Sequence, residues 1–349
     1  MKSKRIAICA TSVPFVRGGG EIHVESLQRE LVKRGFEADL IRVPFKWYPR
    51  SEIIKGALAW RLLDLTGSDG QKIDLVIATQ YPAYVVKHPH KVVWLIHQMR
   101  QVYDLFGTPY SDFTNSPEDK RIRDSIRSID ARALGEARRI FTNAQNTANR
   151  LSRYNGLRGE ALYHPPKLAD LYHNERYGDY IFSVGRLDKM KRVDLLIEAM
   201  KHTKTEVRCL IAGTGRERES LEKTIEKAGL GHRIDLLGYV DDKRQVELYA
   251  NCRAVFYAPY DEDFGYVTLE AFRSRKPVIT ASDSGGVLEF VEHHRTGCVC
   301  PAGDARAMAE QIDLLYSDND LCRSLGEAGY ERVKDISWDV VISKLTEGL

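Results

Sequence analysis

The sequence predicts an α/β protein of two doubly wound, Rossmann-like domains facing across a cleft. Short apolar runs rich in β-branched residues alternate with helical stretches. The alternation breaks once, in a polar segment with two prolines, and then restarts. The chain has 349 residues and is 43% hydrophobic, enough for two cores of ordinary size.

In the first half, "RIAICA" reads as a buried strand, "GGGEIHVESLQRELVKRG" as a helix closed by Gly35, and "FEADLIRV" as a second strand. "IDLVIAT" (73–79) and "KVVWLIH" (91–97) are further buried strands, and a long polar helical region is expected from about Ser116 to Arg153. The break is "YHPPKLADLYHNERYGDY" (163–180), which divides the chain into domains 1–165 and 166–335. Strands resume in "DYIFSVGR", "EVRCLIAG", "RIDLLGYV", "RAVFYAPY" and "KPVITA", with helical stretches such as "VDLLIEAMKH" and "RQVELYANC" between them. Alternating βα units imply parallel sheets covered by helices on both faces, with ligands at the carboxyl ends of the strands.

Composition narrows the classes. No apolar run reaches the length of a membrane span. The start moves directly into a strand pattern, without a signal-peptide core. The six cysteines contain no C-x-x-C pair and read as core thiols, so a reducing cytoplasm is the expected location. "CVC" at 298–300 reads as a strand rather than a metal site. Net charge is +3, unevenly placed: residues 1–165 hold 26 Lys and Arg against 17 Asp and Glu, and residues 166–349 hold 26 against 32. The basic half suits an anionic partner or a solvated surface equally well.

The chemistry-bearing residues fall just after strands. Gly18, Gly19 and Gly20 precede the first helix, where a backbone without side chains lets an anion approach a helix N-terminus; alone, the run is equally a flexible turn. It lacks the G-x-G-x-x-G of a dinucleotide site, which counts against a nicotinamide-dependent oxidoreductase. "FSVGRLDKMKRVDLL" offers Arg186 and Lys191 to a diphosphate, while Lys189 and Arg192 are expected to be solvated surface charges. "IAGTGRERESLE" places Gly213 and Gly215 in a tight turn, and His97 ends a strand. In "DEDFGYVTLEAF" (261–272), Glu262 lies in a strand-to-helix loop, and Glu270 lies on the helix four residues beyond Tyr266. Free amides from Gly265 onward can take a phosphate, and the two carboxylates can take sugar and ribose hydroxyls. For Glu270 the bland alternative is an exposed ion pair with Arg273. Asp261 and Asp263 form a D-x-D pair that could hold a metal.

With these residues in place, the chain resembles the retaining GT-B glycosyltransferases of the group 1, or family 4, type. The resemblance spans nearly the whole sequence. It rests on the Glu262–Glu270 spacing (E-x7-E), the "GGGE" loop at 18–21, "GR" with Lys191 five residues beyond Arg186, "AGTG" at 212–215, "GYV" at 238–240 and "SGGVLEFV" at 284–291. "SWDVVISKL" looks like the segment (about 336–349) that packs back on the first domain in that family. One departure is "AFRSRKPVI", where the family has small residues; Arg275 and Lys276 are expected at the surface.

The resemblance implies a nucleotide-sugar donor and a glycan or lipid-linked acceptor. Arg186 and Lys191 would hold the diphosphate, Glu270 the ribose, and Tyr239 and Val240 the base. Glu262, with the backbone of Phe264 and Gly265, would hold the transferred sugar. Gly19 and Gly20 would close on the phosphates, beside Gly213, and His97 would face the sugar. No metal or other cofactor is implied, because basic side chains and a helix dipole take the cation's place; nucleic acid is not an expected partner. The alternative is a catalytically silent subunit of another transferase, against which the intact Glu262, Glu270, Arg186 and Lys191 argue. In the segment 44–63, Ile53, Ile54, Leu58 and Leu62 would form an apolar stripe beside Lys46, Arg50 and Lys55, suited to peripheral contact with an anionic membrane or to packing on the protein's own sheet.

Overall fold

The computed structural model describes residues 3–349, which form two compact units: 3–167 with Ser337–Leu349, and Leu168–Ile336. In the first unit the order is β1 (Arg5–Ser12), α1 (Gly19–Lys33), β2 (Glu37–Pro44), α2 (Ser51–Leu62), a short hairpin of β3 (Gly67–Ser68) and β4 (Gln71–Lys72), β5 (Leu75–Ala78), β6 (Lys91–Leu95), α3 (Pro117–Gly135), β7 (Arg139–Thr142), α4 (Gln145–Asn155) and β8 (Glu160–Ala161). Its parallel sheet runs β2-β1-β5-β6-β7-β8. Successive side chains of a strand point to opposite faces. Ile6 and Ile8 of β1 accordingly pack with Val24, Leu27 and Leu31 of α1, while Ala7 and Cys9 pack with Ile53 and Trp60 of α2. Burying a side chain such as Leu27 or Ile53 completely contributes about 1.5–3 kcal/mol, which makes both faces of this sheet stabilising.

The helical stretch expected over 116–153 is two helices separated by β7. Only the second half of β7 is buried, and it opens on the exposed Arg139, so its apolar signal is two residues long. The expected stripe on α2 also differs. Ile53, Ala57 and Trp60 are the buried face, and Ile54 is partly buried against the same core. Only Leu58 and Leu62, 56% and 75% exposed, face water. Arg50 is committed internally, to Asp119 and to the Asp112 carbonyl, and Lys55 pairs with Glu52.

The second unit comprises β9 (Tyr180–Val184), α5 (Val193–Met200), β10 (Arg208–Ala212), α6 (Arg218–Lys227), β11 (Ile234–Gly238), α7 (Asp242–Asn251), β12 (Ala254–Phe256), α8 (Tyr266–Arg273), β13 (Val278–Ala281), β14 (Gly297–Cys300), α9 (Ala305–Ser317) and α10 (Asn319–Val333). Its parallel sheet runs β11-β10-β9-β12-β13-β14. The last helix, α11 (Trp338–Leu345), returns to the first unit, where Val341, Ile342 and Leu345 complete the layer containing Ile6 and Trp94. The expected surface position of Lys276 is overturned. Lys276 is wholly buried, its ammonium bonded to Asn174 Oδ1 and the Arg176 carbonyl, 4.4 Å from the Tyr177 ring centre. Arg275 takes a left-handed backbone (φ 53°), pairs with Glu327 and lies over the Tyr330 ring. The loop thus directs one cation inward and holds the other flat against the surface.

Candidate active site

The strand order of the second sheet reverses at β9, which pairs with β10 on one side and β12 on the other. Such a switch point splays the loops leaving the carboxyl ends and opens a crevice between them. The loop after β9 carries Arg186 and Lys191, and the loop after β12 carries Glu262. Neighbouring strands bring the two together: Tyr260 N–H donates to the Met190 carbonyl at 2.8 Å, and Lys191 Nζ donates to Glu262 Oε2. Tyr257, the residue following β12, donates its hydroxyl to the same oxygen at 2.9 Å. Burial disfavours the charge on Glu262, but the adjacent Lys191 ammonium and the Tyr257 hydroxyl outweigh it and hold the carboxyl below its ordinary range.

Glu270 follows one turn into α8. The helix starts at Gly265, whose left-handed backbone (φ 82°) has Val287 and Tyr257 closing on the place a Cβ would occupy, so glycine is required there. The Phe264 side chain is buried against Tyr266 and Phe290, and in the first turn of α8 the Thr268 N–H donates to the Gly265 carbonyl at 3.0 Å. Glu270 Oε2 accepts the Tyr249 hydroxyl at 2.8 Å and the Gln245 amide at 3.3 Å, and Tyr172 adds a further hydroxyl. Burial dominates and pushes the Glu270 carboxyl up to about 7, with the Tyr249 and Tyr172 hydroxyls working against the rise. The Arg273 pairing is not formed; Arg273 donates instead to the carbonyls of Val333, Lys334 and Ile336. Burial pushes the Tyr257 phenol far up, and the Glu262 carboxylate that accepts its hydroxyl adds to the rise, with smaller contributions from Glu270 and Asp188.

Arg186 stands 62% exposed beside Asp188 at 3.7 Å, a loose surface pair that leaves the guanidinium available. Gly213, after β10, has φ 135° and lies against the Gly185 carbonyl, where any Cβ would collide; its N–H donates to the Gly238 carbonyl at 2.7 Å. Tyr239, just beyond β11, is 80% exposed, and Val240 is half-buried next to it. The second unit therefore gathers Arg186, Lys191, Gly213, Tyr239, Val240, Glu262, Phe264, Gly265 and Glu270 along one sheet edge. Gly19, Gly20 and His97 belong to the first unit, beyond β1 and β6. There Gly18 N–H is taken by the Glu21 carboxylate at 2.9 Å, and half-buried His97 places Nδ1 2.7 Å from the Gln98 carbonyl.

The sequence reading overlooked Tyr172, Gln245, Tyr249 and Tyr257, which hold the two carboxylates. Nothing in their spacing signals it, because tertiary packing alone brings them to Glu262 and Glu270. It also misplaced Arg192, whose side chain is only 12% exposed and grips Asp283. Among the described residues no three His, Cys, Asp or Glu side chains cluster as metal ligands. All six cysteines are free and buried.

Residues 174–332 match the family model for glycosyl transferases, group 1. The human alpha-1,3/1,6-mannosyltransferase ALG2 is 31% identical over 187 residues, 49% of this chain but only 44% of that protein, so the match spans less than half of that relative's length. Among solved structures, sucrose-phosphate synthase from Thermosynechococcus elongatus superimposes with a TM-score of 0.77 at 18% identity, over 98% of this chain and 97% of that one. Anabaena HepE, solved in complex with UDP-glucose, gives 0.72 at 18% identity over 98% of each chain. The family match covers nearly all of the second unit, which resembles the group 1 glycosyl transferases, and the structural likeness extends over both units, so the chain has the two-unit GT-B fold of those structures.

Proposed function

We propose that the chain is a retaining hexosyltransferase that moves a hexose from a UDP- or GDP-sugar to a glycan or lipid-linked acceptor without a metal ion. The observation that carries this reading is the pairing of Lys191 with Glu262 at the switch point of the second sheet, with the half-buried Glu270 one turn into the helix that follows. A cation for phosphate, a carboxylate for sugar hydroxyls and a second for a ribose diol match the parts of a nucleotide-sugar one for one. HepE, which shares the fold, was solved with UDP-glucose and supports a donor of this class.

In this reading Arg186 and Lys191 hold the diphosphate and take up charge as the nucleotide leaves. Glu262 orients the sugar together with the backbone amides at Phe264 and Gly265. Glu270 binds the ribose, Gly213 lets backbone approach the phosphates, and Tyr239 and Val240 flank the base. To the first unit the reading assigns phosphate contact at Gly19 and Gly20 and sugar contact at His97. The bond from the anomeric carbon to phosphate oxygen breaks as the acceptor oxygen bonds to that carbon on the same face. The acceptor's proton passes to the leaving phosphate, so no enzyme nucleophile is needed. Rate enhancement rests on positioning and on charge stabilisation at Arg186 and Lys191. A peripheral contact with anionic lipid would draw on Lys46, Lys55, Leu58 and Leu62, which are among the exposed residues of the 44–63 segment; sedimentation with anionic vesicles, unchanged by Lys46→Glu with Lys55→Glu, would discard it.

The direct test is thermal stabilisation by UDP, GDP and ADP and their hexose conjugates, measured with and without EDTA. A ligand that binds only the folded chain raises its melting temperature. One nucleotide family should do so, and the effect should vanish in Arg186→Ala with Lys191→Ala. A folded protein that responds to none of them would overturn the reading, and a response abolished by EDTA would overturn metal independence.

A further inference from the structure

Arg192 follows Lys191 directly and adopts a left-handed backbone, φ 50° and ψ 42°, at the entry to α5. Glycine occupies that region without strain, whereas an arginine must be held there by its surroundings. Its guanidinium supplies the hold. Nη1 and Nη2 donate to the two oxygens of Asp283 at 2.8 and 2.6 Å, Nε donates to the Ala258 carbonyl at 2.7 Å, and Nη2 also reaches the Pro259 carbonyl at 2.9 Å. A planar fork can satisfy a carboxylate and two carbonyls at once; a lysine ammonium cannot reproduce that geometry.

These bonds close a circuit. The Asp283 carbonyl accepts Asp261 N–H at 2.9 Å, the Ser284 carbonyl accepts Glu262 N–H at 3.3 Å, and Gly286 N–H returns to the Glu262 carbonyl at 2.8 Å. The Glu262 carboxylate then takes Lys191, the neighbour of Arg192 in the chain. The loops after β9, β12 and β13 are thus locked through one guanidinium. We propose that Arg192 is a positioning residue, which with Asp283 sets Lys191 against Glu262 and so fixes the geometry in which both meet a donor. The part concerning a donor rests on the nucleotide-sugar reading given above; the part concerning Lys191 does not.

The experiment uses the full chain and three variants, Arg192→Gly, Arg192→Lys and Asp283→Asn. Arg192→Gly relaxes the backbone and removes the clamp, while Asp283→Asn leaves the backbone at 192 unchanged. The first readout is the rate at which an amine-acylating reagent modifies Lys191 without ligand, measured by peptide mass spectrometry against exposed Lys189 as internal reference. The rate at Lys191 should rise several-fold in Arg192→Gly and in Asp283→Asn while Lys189 is unaffected, and Arg192→Lys should not restore protection. Unchanged Lys191 reactivity in either folded variant would overturn the proposal. The second readout compares UDP-glucose with UDP, and GDP-mannose with GDP, as stabilising probes. The extra stabilisation from the sugar should shrink in Arg192→Gly while that from the free nucleotide changes less; equal losses from both would mean a general collapse of the loop and would overturn the positioning role. If no probe stabilises the wild type, the donor reading fails, and the labelling result still decides whether Arg192 positions Lys191.

Discussion

Tyr249 Oη donates a 2.8 Å hydrogen bond to Glu270 Oε2, tying α7 to α8. The Glu270 carboxyl, pushed up to about 7 chiefly by burial, keeps its proton in the folded chain over a range where the unfolded chain, at about 4.5, has released it. Its stabilising effect is therefore complete below about pH 4.5 and is lost as pH rises through about 7, by up to about 3 kcal/mol. Asp130 in the first unit, buried and also pushed up to about 7, contributes with the same sign. The melting temperature of Glu270→Gln should fall less steeply from pH 5 to pH 8 than that of the wild type. Parallel curves would refute a raised Glu270. If the ionised carboxylate binds ribose, nucleotide affinity should strengthen through about pH 7 in the wild type alone.

Acid acts on the first unit with the opposite sign. His23 Nδ1 lies 2.9 Å from His164 Nε2, among the rings of Trp94 and Trp338. Burial lowers both imidazoles, and His164 falls to about 4. The unfolded chain takes up protons below its ordinary 6.5 while the folded chain does not, so this stability is complete above 6.5 and lost as pH falls toward about 4. Tryptophan fluorescence should report unfolding on acidification in that window, with a shallower response in His164→Gln.

Lys191→Met leaves the Glu262 carboxylate inside the loop with the Tyr257 hydroxyl but without its cation. Both side chains of the pair are just over four-fifths covered, so the loss should be ~2 kcal/mol in urea unfolding, below that of a deeply buried pair. Adding Glu262→Gln to Lys191→Met should recover part of it. A double variant as unstable as the sum of the single ones would show that the two residues do not interact.

Two glycines should respond differently to one methyl group. At Gly213 a Cβ meets the Gly185 carbonyl and the backbone is left-handed, so Gly213→Ala should cost several kcal/mol, on the order of 3. At Gly20 nothing lies within 4 Å of a Cβ, and Gly20→Ala should change unfolding by less than about 0.5 kcal/mol. Equal effects would contradict the packing at β10.

All six cysteines are buried, and burial pushes the thiols of Cys252, Cys298, Cys300 and Cys322 up to about 12. A thiol reagent should label the native chain slowly and the urea-unfolded chain completely. Rapid labelling of the native chain would show that one of these core layers opens.

Much of this was legible in residue pattern, because a strand buried on both faces announces itself as an apolar run: β1, β5, β6 and β12 all do. β7 does not, since half of it is exposed and it opens with arginine. The carboxylates and cations of the site could be named because they sit just past strands, where a parallel sheet presents its ligands. What holds them could not. Tyr172 lies far from Glu270 in sequence, and Tyr249 and Gln245 resemble any polar positions on a helix. Arg192 and Lys276 were placed in water because single charges near turns usually are. Each is inward because a specific carboxylate, amide or carbonyl waits for it, a fact that no local window contains.

The return of α11 to the first unit has a consequence during synthesis. Domains usually fold in the order in which they leave the ribosome. Here the layer that receives Val341, Ile342 and Leu345 lacks them until residue 345 is made, whereas the second unit is complete in sequence at Ile336. The unit that begins first is thus completed after the second, and a nascent chain stalled between Cys300 and Trp338 has every strand of the second sheet but leaves the apolar face of the first unit unclosed.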